Sequence, residues 1–171
     1  MPQHPAGWLI GSVDCIPPAR PVLDVAAGRG RHALYLAASG WPVHAVDRDG
    51  EALAAVRDSA RGLSGTVTTE VLDLETDPPP SLGREHYGAV LVFNYLHRPL
   101  MPAIVAAVAA GGVLIYETFS VGQAARGRPT NPAHLLRDGE LAALVAPLVV
   151  LRVREGDVDG SLVSSIVAGR R

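Results

Sequence analysis

The segment VLDVAAGRGRHALYLA, residues 22–37, limits the folds open to this chain more than any other stretch. A short apolar run, PVLDVA (21–26), has the composition of a β-strand. It breaks at Gly28 and Gly30, and a helix follows near 30–39, with Leu34, Ala37 and Ala38 recurring along one face. Strand, glycine-paired turn and helix make up the first half of a crossover, which returns the chain to a parallel neighbouring strand.

The same alternation continues along the sequence. WPVHAVD (41–47) reads as a second strand, and Asp49 suits the N-cap of a helix faced by Leu53, Val56 and Ala60. GTVTTEVLD (65–73) is a third strand, rich in β-branched residues. LETDPPPSLGREH (74–86) has no helical period and reads as a loop. YGAVLVFN (87–94) is almost continuously apolar, as expected of a fourth strand buried on both faces. Pro99 suits the first turn of a helix along which Leu100, Ile104 and Val108 recur, and GGVLIYETF (111–119) is a fifth strand. After a loop over 120–132, Asn131 and Pro132 open a short helix, and GELAALVAP (139–147) is another that Pro147 stops. PLVVLRVRE (147–155) and GSLVSSIVAG (160–169) are joined by GDVD alone, which is too short for a parallel crossover, so this pair is antiparallel. The expected fold is α/β: a Rossmann-like, doubly wound, seven-stranded sheet, mostly parallel with an antiparallel last strand. Residues 1–171 are read as a single domain.

Composition narrows the function classes. The chain has 171 residues, 48% hydrophobic and 19% charged, which fits one domain with a substantial core and excludes a disordered chain. A net charge of −2, with scattered arginines, implies no nucleic-acid partner. Cys15 is the only cysteine, so no intramolecular disulfide forms, which suits a reducing, cytoplasmic setting. The N-terminal WLIG run is too short for a signal peptide. Residues 87–116 are mostly apolar, but His97, Arg98, Pro99 and Pro102 interrupt them before the roughly 20 residues a membrane span needs. No membrane partner and no metal are expected.

The turn is where ligand chemistry is expected. GRGRHA (28–33) satisfies the dinucleotide fingerprint G-x-G-x-x-G/A, and Asp47 follows Gly28 by the expected interval, which keeps an NAD(P)-dependent oxidoreductase as an alternative. Two details oppose it. Asp24-Val25-Ala26-Ala27 intervenes between the strand and Gly28, and a carboxylate at Asp24 repels a pyrophosphate. A P-loop is excluded, since no Gly-Lys-Ser/Thr follows. A cationic nucleoside is the better match, and S-adenosylmethionine is one.

VLDVAAGRGRHALYLA also resembles the first motif of class I S-adenosylmethionine-dependent methyltransferases, Asp/Glu-x-Gly-x-Gly-x-Gly. VHAVDRD, VLDLE, VLVFNYLHRPL and GGVLIYETF follow in that family's order and spacing, and the GRGR turn is similar to small bacterial members of the tellurite-resistance type. The resemblance spans residues 20 to 169. It implies a cofactor set of Asp24 toward the ammonium, Gly28 and Gly30 beside the methionine and ribose, and Arg31 toward the carboxylate. It further implies Asp47 at the ribose, Arg48 among the cofactor-binding residues, Asp73 and Leu74 at the adenine, and Asn94 at the methionine end. Ala26 stands where the family has its first glycine, and it fits if its φ is negative.

The expected reaction is in-line transfer of the methyl group to a small-molecule acceptor, leaving S-adenosylhomocysteine. Positioning supplies much of such a rate. Tyr95 and His97, on the loop after the fourth strand, are the catalytic candidates, His97 as a base for acceptors that carry a proton. Glu117 and Thr118 end the fifth strand on the same rim and are candidates for binding the acceptor. Arg126, Arg128 and Asn131 lie on a loop that either covers the site or crosses over in solvent, while His4 and Trp8 precede the first strand, Trp8 as an apolar anchor. A non-catalytic module that binds the same cofactor is the third reading, since no obligatory base stands out.

Overall fold

The computed structural model describes residues 4–171, so the first three residues of the N-terminal segment read above lie outside it. Strands β1 (Val22–Val25), β2 (Val43–Asp47), β3 (Val67–Val71), β4 (Tyr87–Phe93), β5 (Val108–Phe119), β6 (Val149–Val158) and β7 (Ser161–Gly169) form one sheet. Its order is β3-β2-β1-β4-β5-β7-β6. The first five strands are parallel, and β7 runs antiparallel between β5 and β6.

Helices cover both faces. On one lie α1 (Gly7–Ile10), α2 (Arg31–Ala38) and α3 (Gly50–Ser59), whose Leu9, Leu36 and Leu53 pack on Val22, Ala45 and Ile115. On the other lie α4 (Met101–Ala107) and α5 (Glu140–Leu144), whose Ile104 and Leu141 pack with Val90, Leu114 and Ile166. The central strand β4 is buried at every residue, as its uninterrupted apolar sequence requires. The edge strands β3 and β6 are largely exposed.

Three local expectations change. Val108 leaves the helix, because α4 ends at Ala107 and β5 begins at Val108, opposite Tyr87. The closing strands run further than GDVD implied, since β6 continues through Val158 and the turn is Asp159-Gly160 alone. Both turn residues have positive φ, 51° and 84°, the twist-matched form that Asp-Gly favours in two-residue hairpins. The stretch read as a loop carries a 3-10 turn, Val121–Ala125, and is tied down. Its buried Gln123 accepts from the Leu162 N–H at 2.8 Å and donates to the Arg128 carbonyl at 3.1 Å, while Arg126 pairs with Asp157.

The chain winds outward from β1 to β3, then returns to place β4 on the other side of β1. Loops leaving β1 and β4 therefore diverge, and a crevice opens at the carboxyl ends of the strands, the place where such sheets bind ligands.

Candidate functional site

The turn after β1 reverses tightly. Ala26, Gly28 and Gly30 all have positive φ, at 54°, 54° and 71°. Ala26 thus departs from the negative φ under which alanine was expected to fit; the chain path demands a left-handed residue there whichever side chain it carries. Gly30 is required by packing as well, since a Cβ there would lie 2.6 Å from Val56 Cγ2 on α3. At Gly28 a Cβ would meet nothing within 4 Å, so that side of the turn is open to a ligand.

Carboxylates hold the turn. Asp47, at the tip of β2, accepts the Gly28 N–H at 2.8 Å with one oxygen and the Asp49 N–H at 2.9 Å with the other. Asp49 is free to cap α3, accepting from the Glu51 and Ala52 amides, as its position suggested. Asp73, beyond β3, accepts the Glu75 N–H at 2.9 Å. A carboxylate offers about four lone-pair positions, so Asp47 and Asp73 both retain capacity for further donors.

Asp24 is 1% exposed, and its Oδ2 accepts the Ala33 N–H of α2 at 3.1 Å. Burial pushes its carboxyl up to about 7, against the lowering effect of that amide and of the Arg31 charge. It anchors the first turn of α2, and its ionisation is poised to respond to a nearby cation.

Ala26, Asp47, Arg48, Leu72, Asp73, Leu74, Glu75 and Tyr95 line a cleft of about 180 Å³. The expected ribose and adenine residues are therefore brought together, and Tyr95, expected among the catalytic groups, lies with them. Burial, with the carboxylates of Glu75 and Asp73, pushes its phenol well above the ordinary range. That holds it protonated, contrary to what a base needs.

Other candidates fall elsewhere. Arg31 lines a separate groove between α2 and α3, with His4, Arg29 and Tyr35. Asn94 leaves β4 with φ 55° and donates its N–H to the Glu117 carbonyl at 2.9 Å. His97 precedes the 3-10 turn Arg98–Leu100, which it does not cap with its side chain. Glu117 is 8% exposed and already engaged, accepting from Arg154 at 2.7 Å and from the Ser165 hydroxyl at 2.6 Å. Arg154 lies 4.9 Å over the ring of Trp8, whose Nε1 donates to the Ile166 carbonyl. Thr118 is buried. Sequence reading missed Arg154 and Ser165; the alternation in LRVRE hinted at a charged face, but only the strand order brings that face to Glu117.

His32 was not singled out. It stacks on Phe93 at 4.1 Å, accepts the Ala6 N–H, and is pushed down to about 3 by burial, so it is a neutral packing residue. Among the described residues, no group of three or more His, Cys, Asp or Glu is placed to hold a metal. No helix there is long and apolar enough to cross a membrane.

Comparison with known proteins agrees with this fold. Residues 22–111 match the family described as a methyltransferase domain. TehB from Haemophilus influenzae superposes with a TM-score of 0.79 at 16% identity, covering 98% of this chain and 63% of its own. This chain thus spans less than two thirds of that protein. An S-adenosylmethionine-dependent methyltransferase from Methanosarcina mazei superposes at 0.71 and 16% identity, covering 98% and 99% of the two chains. Magnesium protoporphyrin IX methyltransferase from Synechocystis PCC 6803, with bound S-adenosylmethionine, superposes at 0.70 and 16% identity, covering 96% of this chain and 75% of its own. At such identities the likeness is one of fold. No curated protein matches the chain in sequence.

Proposed function

The chain belongs to the methyltransferase domain family, and from that premise we propose that it moves a methyl group from S-adenosylmethionine to a small-molecule acceptor, as a single cytoplasmic domain. The observation that carries the reading is the convergence of Asp47, Asp73, Leu74 and Ala26 on one cleft at the carboxyl ends of β1, β2 and β3.

These residues fit the cofactor. The lone pairs left on Asp47 suit the two ribose hydroxyls, and Asp73 suits the exocyclic amine of adenine, with the Leu74 N–H facing a ring nitrogen. Arg48 flanks the same cleft. Gly28 offers an approach free of side chains. Asp24, buried beneath the turn, favours a cation nearby. The cofactor supplies an activated methyl on a sulfonium, which departs as S-adenosylhomocysteine. What the chain supplies is orientation, and in-line displacement depends mainly on that. His97, on the loop after β4, takes the proton where the acceptor carries one.

Pyrophosphate chemistry fits poorly. The Gly28 amide that would receive a phosphate is already taken by Asp47, and a second carboxylate, Asp24, lies under the same turn. The test is incubation with methyl-labelled S-adenosylmethionine and a panel of thiols, chalcogen oxyanions, phenols and amines. Label should appear in at least one acceptor class, with S-adenosylhomocysteine formed in equal amount. Cofactor binding without transfer across the whole panel would instead support a binding module.

A further inference from the structure

The two edges of the sheet differ in chemistry. β3 has 5 residues, and its middle, Thr68-Thr69-Glu70, is polar, with Arg57 donating to the Thr69 hydroxyl. β6 has 10 residues and carries neither lysine nor proline, the residues that commonly guard an edge. Among the described residues seven large hydrophobic side chains are exposed, and four of them are Val149, Val150, Leu151 and Val153. Ile10, a fifth, adjoins Gly11, whose carbonyl accepts from Arg152 on β6. Apolar side chains gathered in this way mark an interaction surface.

The charges on β6 indicate what covers it. Arg152 pairs with Asp14 at 2.8 Å and Arg154 with Glu117 at 2.7 Å. Asp157 pairs with Arg126, and Glu155 accepts from the Ser164 hydroxyl at 3.0 Å and the Gly139 N–H at 3.2 Å. All four charged residues of the strand are thus engaged within the chain, two positive and two negative. A strongly charged partner finds no free charge here to pair with. A second copy of the chain needs this neutrality, because a two-fold contact sets each group near its own equivalent, where an unpaired charge repels. The ladder between β6 and β7 shifts at Leu151, an irregularity that hinders a further strand from continuing the sheet. The apolar side chains, rather than the backbone, are therefore the contact.

We infer that Val149–Val153 form the centre of a two-fold contact with a second copy of this chain, with Ile10 at its margin. β6 lies at the opposite edge of the sheet from β3, so the cleft at Asp47 and Asp73 stays open in both copies.

Sedimentation equilibrium over a range of protein concentrations tests this on wild type, Leu151→Lys, Val153→Lys and, at the β3 edge, Val71→Lys. Wild type should follow a monomer–dimer equilibrium. Each β6 variant should weaken it about tenfold or more, and Val71→Lys should leave it unchanged. Thermal melting shows which variants are folded. Should a β6 variant fail to fold, amide hydrogen exchange on wild type decides: β6 amides should exchange more slowly in concentrated than in dilute protein, and β3 amides equally in both. The assignment is overturned by a wild type that stays monomeric, by a dimer that the folded β6 variants retain, or by β6 exchange that is independent of concentration. Dissociation by folded Val71→Lys, or open-ended assembly beyond the dimer, overturns it as well.

Discussion

Ala26 carries a methyl group where the backbone is left-handed, at φ 54°. That conformation costs an L-residue roughly 1–2 kcal/mol, part of which glycine would return through the greater freedom of its unfolded chain. Ala26→Gly should therefore melt within about 1 kcal/mol of wild type, whereas Ala26→Val, β-branched at positive φ, should lose more than about 2 kcal/mol. Chemical denaturation of both variants checks this. The sequence marked Ala26 as a departure but could not give its φ, which is set by the path from β1 to α2. Asp24 makes a pH prediction. Its carboxyl ordinarily titrates near 3.8 and is raised to about 7 in the folded protein, so the native state binds a proton that the unfolded chain has released. Its contribution to stability is complete below about 3.8 and is lost as pH rises through 7. Asp24→Asn should then match wild type below about pH 4 and exceed it increasingly up to about pH 7, the difference levelling off above that, as thermal melts across that range will show. Ionised Asp24 also favours a cation, so wild-type affinity for S-adenosylhomocysteine, which carries an ammonium group, should rise from pH 6 to pH 8, and Asp24→Asn should flatten that rise.

Among the elements, the strand–turn–helix unit of β1 and α2 separates two uses of glycine. Gly30 sits against Val56 of α3, and Gly28 faces open space. Gly30→Ala should destabilise by about 1–3 kcal/mol through overpacking, with part recovered in a Gly30→Ala, Val56→Ala double variant. Gly28→Ala should lose only about 1 kcal/mol of stability and show its main effect as weaker S-adenosylhomocysteine binding. Melting and titration of the same proteins distinguish the two. The elements themselves were legible because periodicity is local: seven strands were expected from apolar runs, and seven are present among the described residues. Boundaries failed where the tertiary path decides them. Val108 fits the face of α4 by spacing but pairs with Tyr87 in the sheet, and Val158 extends β6 because the Asp159-Gly160 turn needs only two residues.

At the scale of the whole molecule, long-range ties hold segments that sequence reading left loose. Arg98 donates to Glu140 at 2.7 and 2.9 Å and to the carbonyls of Ala133 and Leu135, fastening the segment that leads into α5 onto the start of α4. The Arg98 hydrogen bonds hold the Glu140 carboxyl down to about 2, against an ordinary value of 4.5. That contribution is present above pH 4.5 and is lost as pH falls toward 2. Arg98→Ala should lower stability at pH 7 by about 2 kcal/mol, with a smaller difference from wild type near pH 3, as denaturation at the two values will show. Glu117 illustrates the opposite limit of sequence reading. Its place at a strand tip marked it for a ligand, yet Arg154 and Ser165, distant in sequence, both bond its Oε2. The acids at the tips of β2 and β3 were legible because their positions follow from strand order alone, and the account depends on them. Calorimetric titration of wild type and Asp47→Ala with S-adenosylhomocysteine, and of wild type with NAD, tests it most directly. Wild type should bind S-adenosylhomocysteine and ignore NAD, and Asp47→Ala should lose on the order of 2–4 kcal/mol of binding through two hydrogen bonds to a charged acceptor. Unchanged affinity in Asp47→Ala, or NAD binding by wild type, would contradict it.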